Sequence, residues 1–321
     1  MTTKLGILLL CAGMIVGTTM ALVFGGGRAL PAQSEALLDN HALAANVETF
    51  VLPVSQVSYL PIRDFNIPDP MMHARSALLV DRETGRTLYA LNPDQQLPIA
   101  SVTKLMSAAI ILERLSLDDE YTADAEDLNV DGLGADLHLG EKMRGMDLFK
   151  MMLIKSSNDA AFIFAAAARK RGLDFVGLMN QKASELGMGD TYFNDPAGLD
   201  DASTHSSASN LLKLIQYIND RYPVIWETLT IPEADVASSD GAVQHRVVNT
   251  NRLLGAIPHI VGGKTGNTDG ALGTMVLVAG VSDRGGVTPH ALISIVLGSR
   301  DRFGETQTLI NWGKRVHSWE P

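Results

Sequence analysis

A serine three residues ahead of a lysine, Ser101-Val-Thr-Lys104, is the first pattern in this sequence able to do chemistry. On a helix, positions i and i+3 share a face, so the Lys104 amine comes within reach of the Ser101 hydroxyl. A serine hydroxyl is a weak nucleophile until a base takes its proton. Lysine can be that base once its pKa falls from about 10.4 to about 7, a shift that burial and a neighbouring cation can supply. Ser101 follows Pro98 closely and sits near the expected helix start. There the positive end of the dipole and free backbone N–H groups favour a developing oxyanion. Alone the pattern is weak, because S-x-x-K arises by chance about once per 300 residues.

Two further patterns change its weight. Ser156-Ser157-Asn158 falls in a break between two expected helices. Its plain reading is a helix N-cap, with Asn158 or Asp159 capping the turn from Ala160. Its chemical reading is a proton-relay hydroxyl from Ser156 and a substrate-holding amide from Asn158. Gly262-Gly263-Lys264-Thr265-Gly266-Asn267-Thr268 precedes an expected strand pair. The glycines would let a substrate backbone lie close along a strand, while Lys264 offers a cation for a carboxylate and Thr265 a hydroxyl. The stretch fails the pattern of a phosphate-binding loop. K-T-G is expected by chance only about 0.1 times in this length. The three patterns follow one another at separations of 55 residues (101 to 156) and 108 residues (156 to 264).

The elements around these residues suggest how they are positioned. Ser76–Asp81 and Thr87–Leu91 flank Glu83-Thr-Gly-Arg86 and read as a β-hairpin turning at Gly85. Ser101 to about Leu115 reads as a largely buried helix, followed by helices over Gly145–Lys155, Asp159–Arg171, Phe175–Leu186 and Leu211–Asp220. Thr274–Val281 and Ala291–Leu297 read as a second hairpin, and Thr306–Arg315 as a closing helix. Strand pairs at both ends with helices between them predict an α+β fold, an antiparallel sheet flanked by helices.

Bulk properties exclude other classes. Hydrophobic content of 46% is ample for a large core. A net charge of −10 without a Lys/Arg block argues against a nucleic-acid surface. Cys11 is the sole cysteine, and the eight histidines show no close pair at metal-ligand spacing, so no metal site is expected. Leu5–Phe24 is uncharged and 20 residues long, about what a bilayer span needs. Lys4 precedes it, and Glu35, Asp39 and Glu48 follow, a bias that places the body of the protein outside the cytoplasmic membrane. Residues 1–28 are therefore expected to be an anchor, with a cleaved signal segment as the rival reading. Cys11 reads as an apolar residue of that span. Residues 29–72 carry Pro31, Pro53, Pro61, Pro68 and Pro70 and read as a linker, leaving 73–321 as the folded domain.

The ordered trio S-x-x-K, S-x-N, K-T-G resembles that of the β-lactamase and penicillin-binding superfamily. Within it, the chain resembles the D-alanyl-D-alanine carboxypeptidase family of low-molecular-mass penicillin-binding proteins. Leu139-Gly-Glu-Lys142, Leu153–Ala161, Phe193–Leu199, Asn249–Leu254, Glu305-Thr306 and Asn311-Trp-Gly313 look similar too, so the likeness covers about 72–315. The resemblance implies a three-layer α/β/α, transpeptidase-like fold with an all-helical subregion and a chemistry without cofactors. It implies that Ser101 is acylated by a peptidoglycan pentapeptide ending in D-Ala-D-Ala, with Lys104 as base and Ser156 as proton relay. Asn158 would bind the substrate amide, and Lys264 and Thr265, ahead of Gly266, the terminal carboxylate. The N–H groups of Ser101 and Asn267 would form the oxyanion hole. β-Lactams would be covalent inhibitors. D,D-endopeptidase, serine β-lactamase and non-catalytic penicillin sensor are the alternatives. Ser157 stands where the family often has glycine. A class A β-lactamase places a water-activating glutamate after its second motif. Here Tyr192–Asp200 has none, only Asp195 and Asp200.

Overall fold

The computed structural model describes residues 60–128, 137–200, 203–283 and 286–319. The expected anchor, Cys11 and the linker as far as residue 59 lie outside the described residues. In chain order the elements are β1 (Ile62–Arg63), β2 (Ser76–Asp81), β3 (Thr87–Leu91), a 3₁₀ turn (Ala100–Thr103) and α1 (Lys104–Arg114). Then follow β4 (Glu120–Thr122), α2 (Ala125–Leu128), β5 (Lys142–Arg144), α3 (Gly145–Lys150), a π-helical turn (Met151–Lys155) and α4 (Asn158–Lys170). After these come α5 (Phe175–Glu185), α6 (Ala208–Arg221), α7 (Pro223–Leu229), β6 (Glu233–Ala237) and β7 (Gln244–Val248). The chain closes with β8 (Ile260–Thr268), β9 (Leu272–Asp283), β10 (Gly286–Ser299), α8 (Arg302–Val316) and β11 (His317–Ser318).

The central sheet has the order β3-β2-β10-β9-β8, and all its pairings are antiparallel. Its inner strands are apolar on both faces because both faces are covered. Leu78, Val80, Val276, Val278, Ile293 and Ile295 pack toward α1, α4 and α6. Ala77, Leu79, Met275, Leu277, Leu292 and Val296 face Leu309, Ile310 and Trp312 of α8. The period-2 alternation along each strand thus serves two cores. This is the α+β, three-layer arrangement expected, with α1 to α5 forming the helical subregion beside the sheet.

The folded unit begins before the expected boundary at His73. Ile62 pairs with Ser318 and Arg63 with His317. Ile67 and Met72 pack on the α8 core, and the Trp312 indole donates to the Pro68 carbonyl at 2.8 Å. Prolines masked this, since they break periodicity without preventing a short edge pairing. Among the described residues, no helix is long and apolar enough to cross a membrane.

Candidate active site

Ser101 sits in the 3₁₀ turn, one turn ahead of the point where α1 begins at Lys104. That turn is held from two sides. Thr274 of β9 donates its hydroxyl to the Ile99 carbonyl at 3.0 Å, and Gly266 of β8 lies so close that a Cβ there would be 2.9 Å from the Ala100 Cβ. On the other side Gly198, at φ +76°, packs where a Cβ would fall 2.0 Å from the Ala100 carbonyl oxygen. Ala100 itself has φ +48°, a strained setting for an alanine that these contacts impose.

Lys104 is fully buried, and its Nζ lies 2.9 Å from Ser101 Oγ, 2.7 Å from Asn158 Oδ1 and 2.8 Å from the Ala197 carbonyl. Burial pushes its pKa down to about 7, partly opposed by the Asp195 carboxylate. A neutral amine has two N–H donors and one lone pair. With the donors spent on Asn158 and Ala197, the lone pair is left for the Ser101 proton. The fold therefore brings the two residues of the S-x-x-K pattern into contact, and burial dominates the pKa shift.

Asn158 and Ser156 reach the site because the chain turns sharply between them and the preceding helix. The π-helical turn ends at Ser156 in the left-handed region, φ +65° and ψ +32°. The N-cap of α4 is Ser157, whose Oγ accepts from the Ala160 N–H at 3.1 Å; the expected caps Asn158 and Asp159 lie inside the helix. Capping by Ser157 leaves the flanking Ser156 and Asn158 side chains for the cleft.

Lys264 is also fully buried, and it donates to Ser156 Oγ at 2.7 Å and to the Thr265 carbonyl at 2.9 Å. Burial, then the charges of Lys104 and Arg302, hold its pKa well below the ordinary lysine range. The sequence reading made Lys264 a cation for a substrate carboxylate; in the structure its amine is enclosed against Ser156. Thr265 shares a 2.6 Å hydroxyl contact with Thr250. Asn267 is exposed near the end of β8, with its Oδ1 accepting from Arg302 Nη1 at 2.9 Å. β8 is an edge strand, so its outer side carries unpaired backbone groups.

Sequence reasoning missed four contributors. Arg302 and Arg252 both lie against the Phe303 ring, at 4.6 and 5.7 Å, and neither forms a salt bridge among the described residues. The Ala197 carbonyl carries no signature in sequence, and Thr274 offered none beyond its strand. The two carboxylates considered for water activation are engaged with backbone. Asp195 accepts from the N–H groups of Ala197 and Gly198, both at 2.7 Å. Asp200 accepts from the Gly270 N–H at 3.0 Å and from the Thr268 hydroxyl at 3.0 Å. Both therefore act as turn-holding residues.

Comparison with known proteins agrees with this arrangement. The sequence model for D-alanyl-D-alanine carboxypeptidases matches residues 64–301. The D-alanyl-D-alanine carboxypeptidase DacF of Bacillus subtilis is 32% identical over 200 residues, covering 61% of this chain and 51% of the relative. The chain thus spans about half the length of that relative. The D-alanyl-D-alanine endopeptidase of Escherichia coli is 30% identical over 249 residues, covering 76% and 78% respectively. The structure of penicillin-binding protein D2 from Listeria monocytogenes in its ampicillin-bound form superposes with a TM-score of 0.65 at 32% identity. It covers 77% of this chain and 99% of that one.

Proposed function

The chain belongs to the D-alanyl-D-alanine carboxypeptidase family, and on that premise we propose that it removes the terminal D-alanine of peptidoglycan stem peptides through an acyl-Ser101 intermediate. The observation that carries this reading is the buried Lys104 amine 2.9 Å from Ser101 Oγ. Neutral Lys104 takes the hydroxyl proton as Ser101 attacks the D-Ala-D-Ala carbonyl. The N–H groups of Ser101 and Asn267 receive the oxyanion, a contribution of about 3 kcal/mol per donor. Ser156, hydrogen-bonded to Lys264, passes a proton to the leaving amine, and Asn158 holds the substrate amide. The terminal carboxylate is received by Thr265, with Lys264 behind it and Arg302 and Arg252 supplying positive charge from the neighbouring surface. Water then releases the shortened peptide.

The same residues serve a D,D-endopeptidase, the name borne by the Escherichia coli relative. Incubation with a D-Ala-D-Ala pentapeptide and with a cross-linked dimer, followed by mass spectrometry, separates the two. D-alanine released from the pentapeptide alone supports the carboxypeptidase; cleavage of the dimer alone would overturn it. A β-lactamase needs rapid deacylation, and Tyr192–Asp200 holds no glutamate for activating water, while its Asp195 and Asp200 hold turns through backbone N–H groups. A penicilloyl adduct on Ser101 is accordingly expected to last minutes; its loss within seconds would favour the β-lactamase. The catalytic domain acts outside the cytoplasmic membrane, tethered through Leu5–Phe24, and protease added to spheroplasts would then degrade it. Full protection would contradict this placement.

A further inference from the structure

One cavity takes no part in the chemistry at Ser101. It measures about 870 Å³ and lies between the end of α6 and α7, with Val261 of β8 in its wall. None of Ser101, Lys104, Ser156 and Lys264 lines it. Val261 stands four residues before Thr265, about 13 Å along the strand and on the side away from Asn267. Trp226 of α7 ties the cavity to β8, since a Cβ on Gly262 would fall 2.8 Å from its Cε3.

Two donors among its lining residues are buried and unspent. Trp226 is 4% exposed, and neither its Nε1 nor the Asn219 Nδ2 has a hydrogen-bond partner among the described residues. A buried indole N–H ordinarily finds an acceptor, and leaving it without one is costly. Two N–H donors match the two lone pairs of a single amide carbonyl oxygen. Val261 and Pro223 offer apolar contact of the kind an acetamido methyl needs. The rim has the opposite polarity. Asp220 and Glu227 are exposed carboxylates that accept from hydroxyls, and Gln216 both donates and accepts. With Glu83 they set three carboxylates against one guanidinium, that of Arg82, so the cavity repels an anion. Neither Asp220 nor Glu227 belongs to the group of side chains spaced closely enough, among the described residues, to hold a metal ion. A neutral ligand with an N-acetyl group and several hydroxyls meets all of these demands. We propose that this cavity binds an N-acetylated sugar; the inference rests on the proposed function for the source of that sugar, the glycan strand of peptidoglycan. The scissile carbonyl and the acyl peptide lie toward Asn267, so the sugar held here belongs to a strand other than the one whose stem is being cut. The cavity thus keeps the enzyme on the wall between turnovers.

The test uses the full chain in a sugar-free detergent, with its three tryptophans replaced by fluorotryptophan and followed by fluorine NMR. The probe is the β-1,4-linked tetramer of N-acetylglucosamine. The Trp226 signal, identified by its loss in Trp226→Phe, should shift and saturate with a Kd of about 1 mM, while the Trp312 and Trp319 signals stay in place. The glucose tetramer of the same linkage lacks acetamido groups and should bind about fivefold more weakly or worse. Asn219→Leu should weaken the N-acetylglucosamine tetramer by a similar factor. If that variant fails to fold, the discrimination between the two tetramers decides. An unmoved Trp226 signal at about 10 mM tetramer, equal binding of the two tetramers, or an Asn219→Leu protein that binds as the wild type does overturns the site. Release of D-alanine from a free pentapeptide should be unchanged in Asn219→Leu. Its absence in the wild-type chain would instead overturn the proposed activity of Ser101 and leave the sugar titration standing.

Discussion

The depressed pKa of Lys104 makes acylation depend on pH in a way that can be worked out beforehand. Burial lowers the value from 10.5 to about 7, so the charged form is disfavoured by ~5 kcal/mol. Only the neutral amine can take the Ser101 proton. The neutral fraction is about one half at pH 7, ~9% at pH 6 and ~1% at pH 5. The second-order rate of labelling by a fluorescent penicillin should therefore fall about tenfold per unit below pH 7 and level off above pH 8. The same shift acts on stability. Between about pH 7 and 10.5 the unfolded chain keeps a proton on Lys104 that the folded chain has lost. Stability contributed at this residue thus rises with pH across that window, and below it the full penalty applies. Replacing Lys104 by Met removes the penalty. Its effect on urea-unfolding stability should be more favourable at pH 6 than at pH 9 by ~2–3 kcal/mol. A labelling rate that stays flat from pH 5.5 to 8, or a pH-independent effect of the substitution, would refute the neutral-lysine argument.

Three other outcomes are expected. Ser101→Ala should abolish penicillin labelling while the circular dichroism spectrum stays unchanged, since Lys104 keeps its contacts with Asn158 and Ala197 when the Ser101 hydroxyl is removed. Gly198→Ala should lower stability by about 3 kcal/mol and suppress labelling, because its φ is +76° and the new Cβ would meet the Ala100 carbonyl; a shift in Tm of under a degree would count against this. Lys264→Ala should cut kcat by about a hundredfold or more through loss of its hydrogen bond to Ser156, as expected for a disrupted proton relay, and near-normal turnover of the pentapeptide would remove Lys264 from the mechanism.

Much of the site was legible because its chemistry is local. Ser101 and Lys104 need only helical spacing, and their contact at 2.9 Å follows from it. The runs 274–281 and 291–297 showed as strands because strands buried on both faces are apolar without interruption. What escaped depended on distant contacts. The Ala197 carbonyl reaches Lys104 across 93 positions of chain, and Arg302 reaches Asn267 across 35. Neither carries a local pattern. The burial of Lys264 escaped for the same reason: its charge is counted in the sequence, but its contact with Ser156 spans 108 positions of chain. The capping residue of α4 is Ser157 rather than Asn158 or Asp159, because the left-handed turn at Ser156 starts the helix earlier than the Asn-Asp pair suggests.

The short pairing of β1 with β11 has a geometric consequence for mounting the enzyme. Because Ile62 faces Ser318 and Arg63 faces His317, the chain enters and leaves the folded unit at one edge, with the two directions opposed. A tether fused before Leu60 or after Trp319 would therefore hang the domain from nearly the same point. The Ser101 site would keep the same aspect toward the tethering surface in either case. Moving an added tether from one end of the folded unit to the other should thus leave the reach of Ser101 governed by linker length alone.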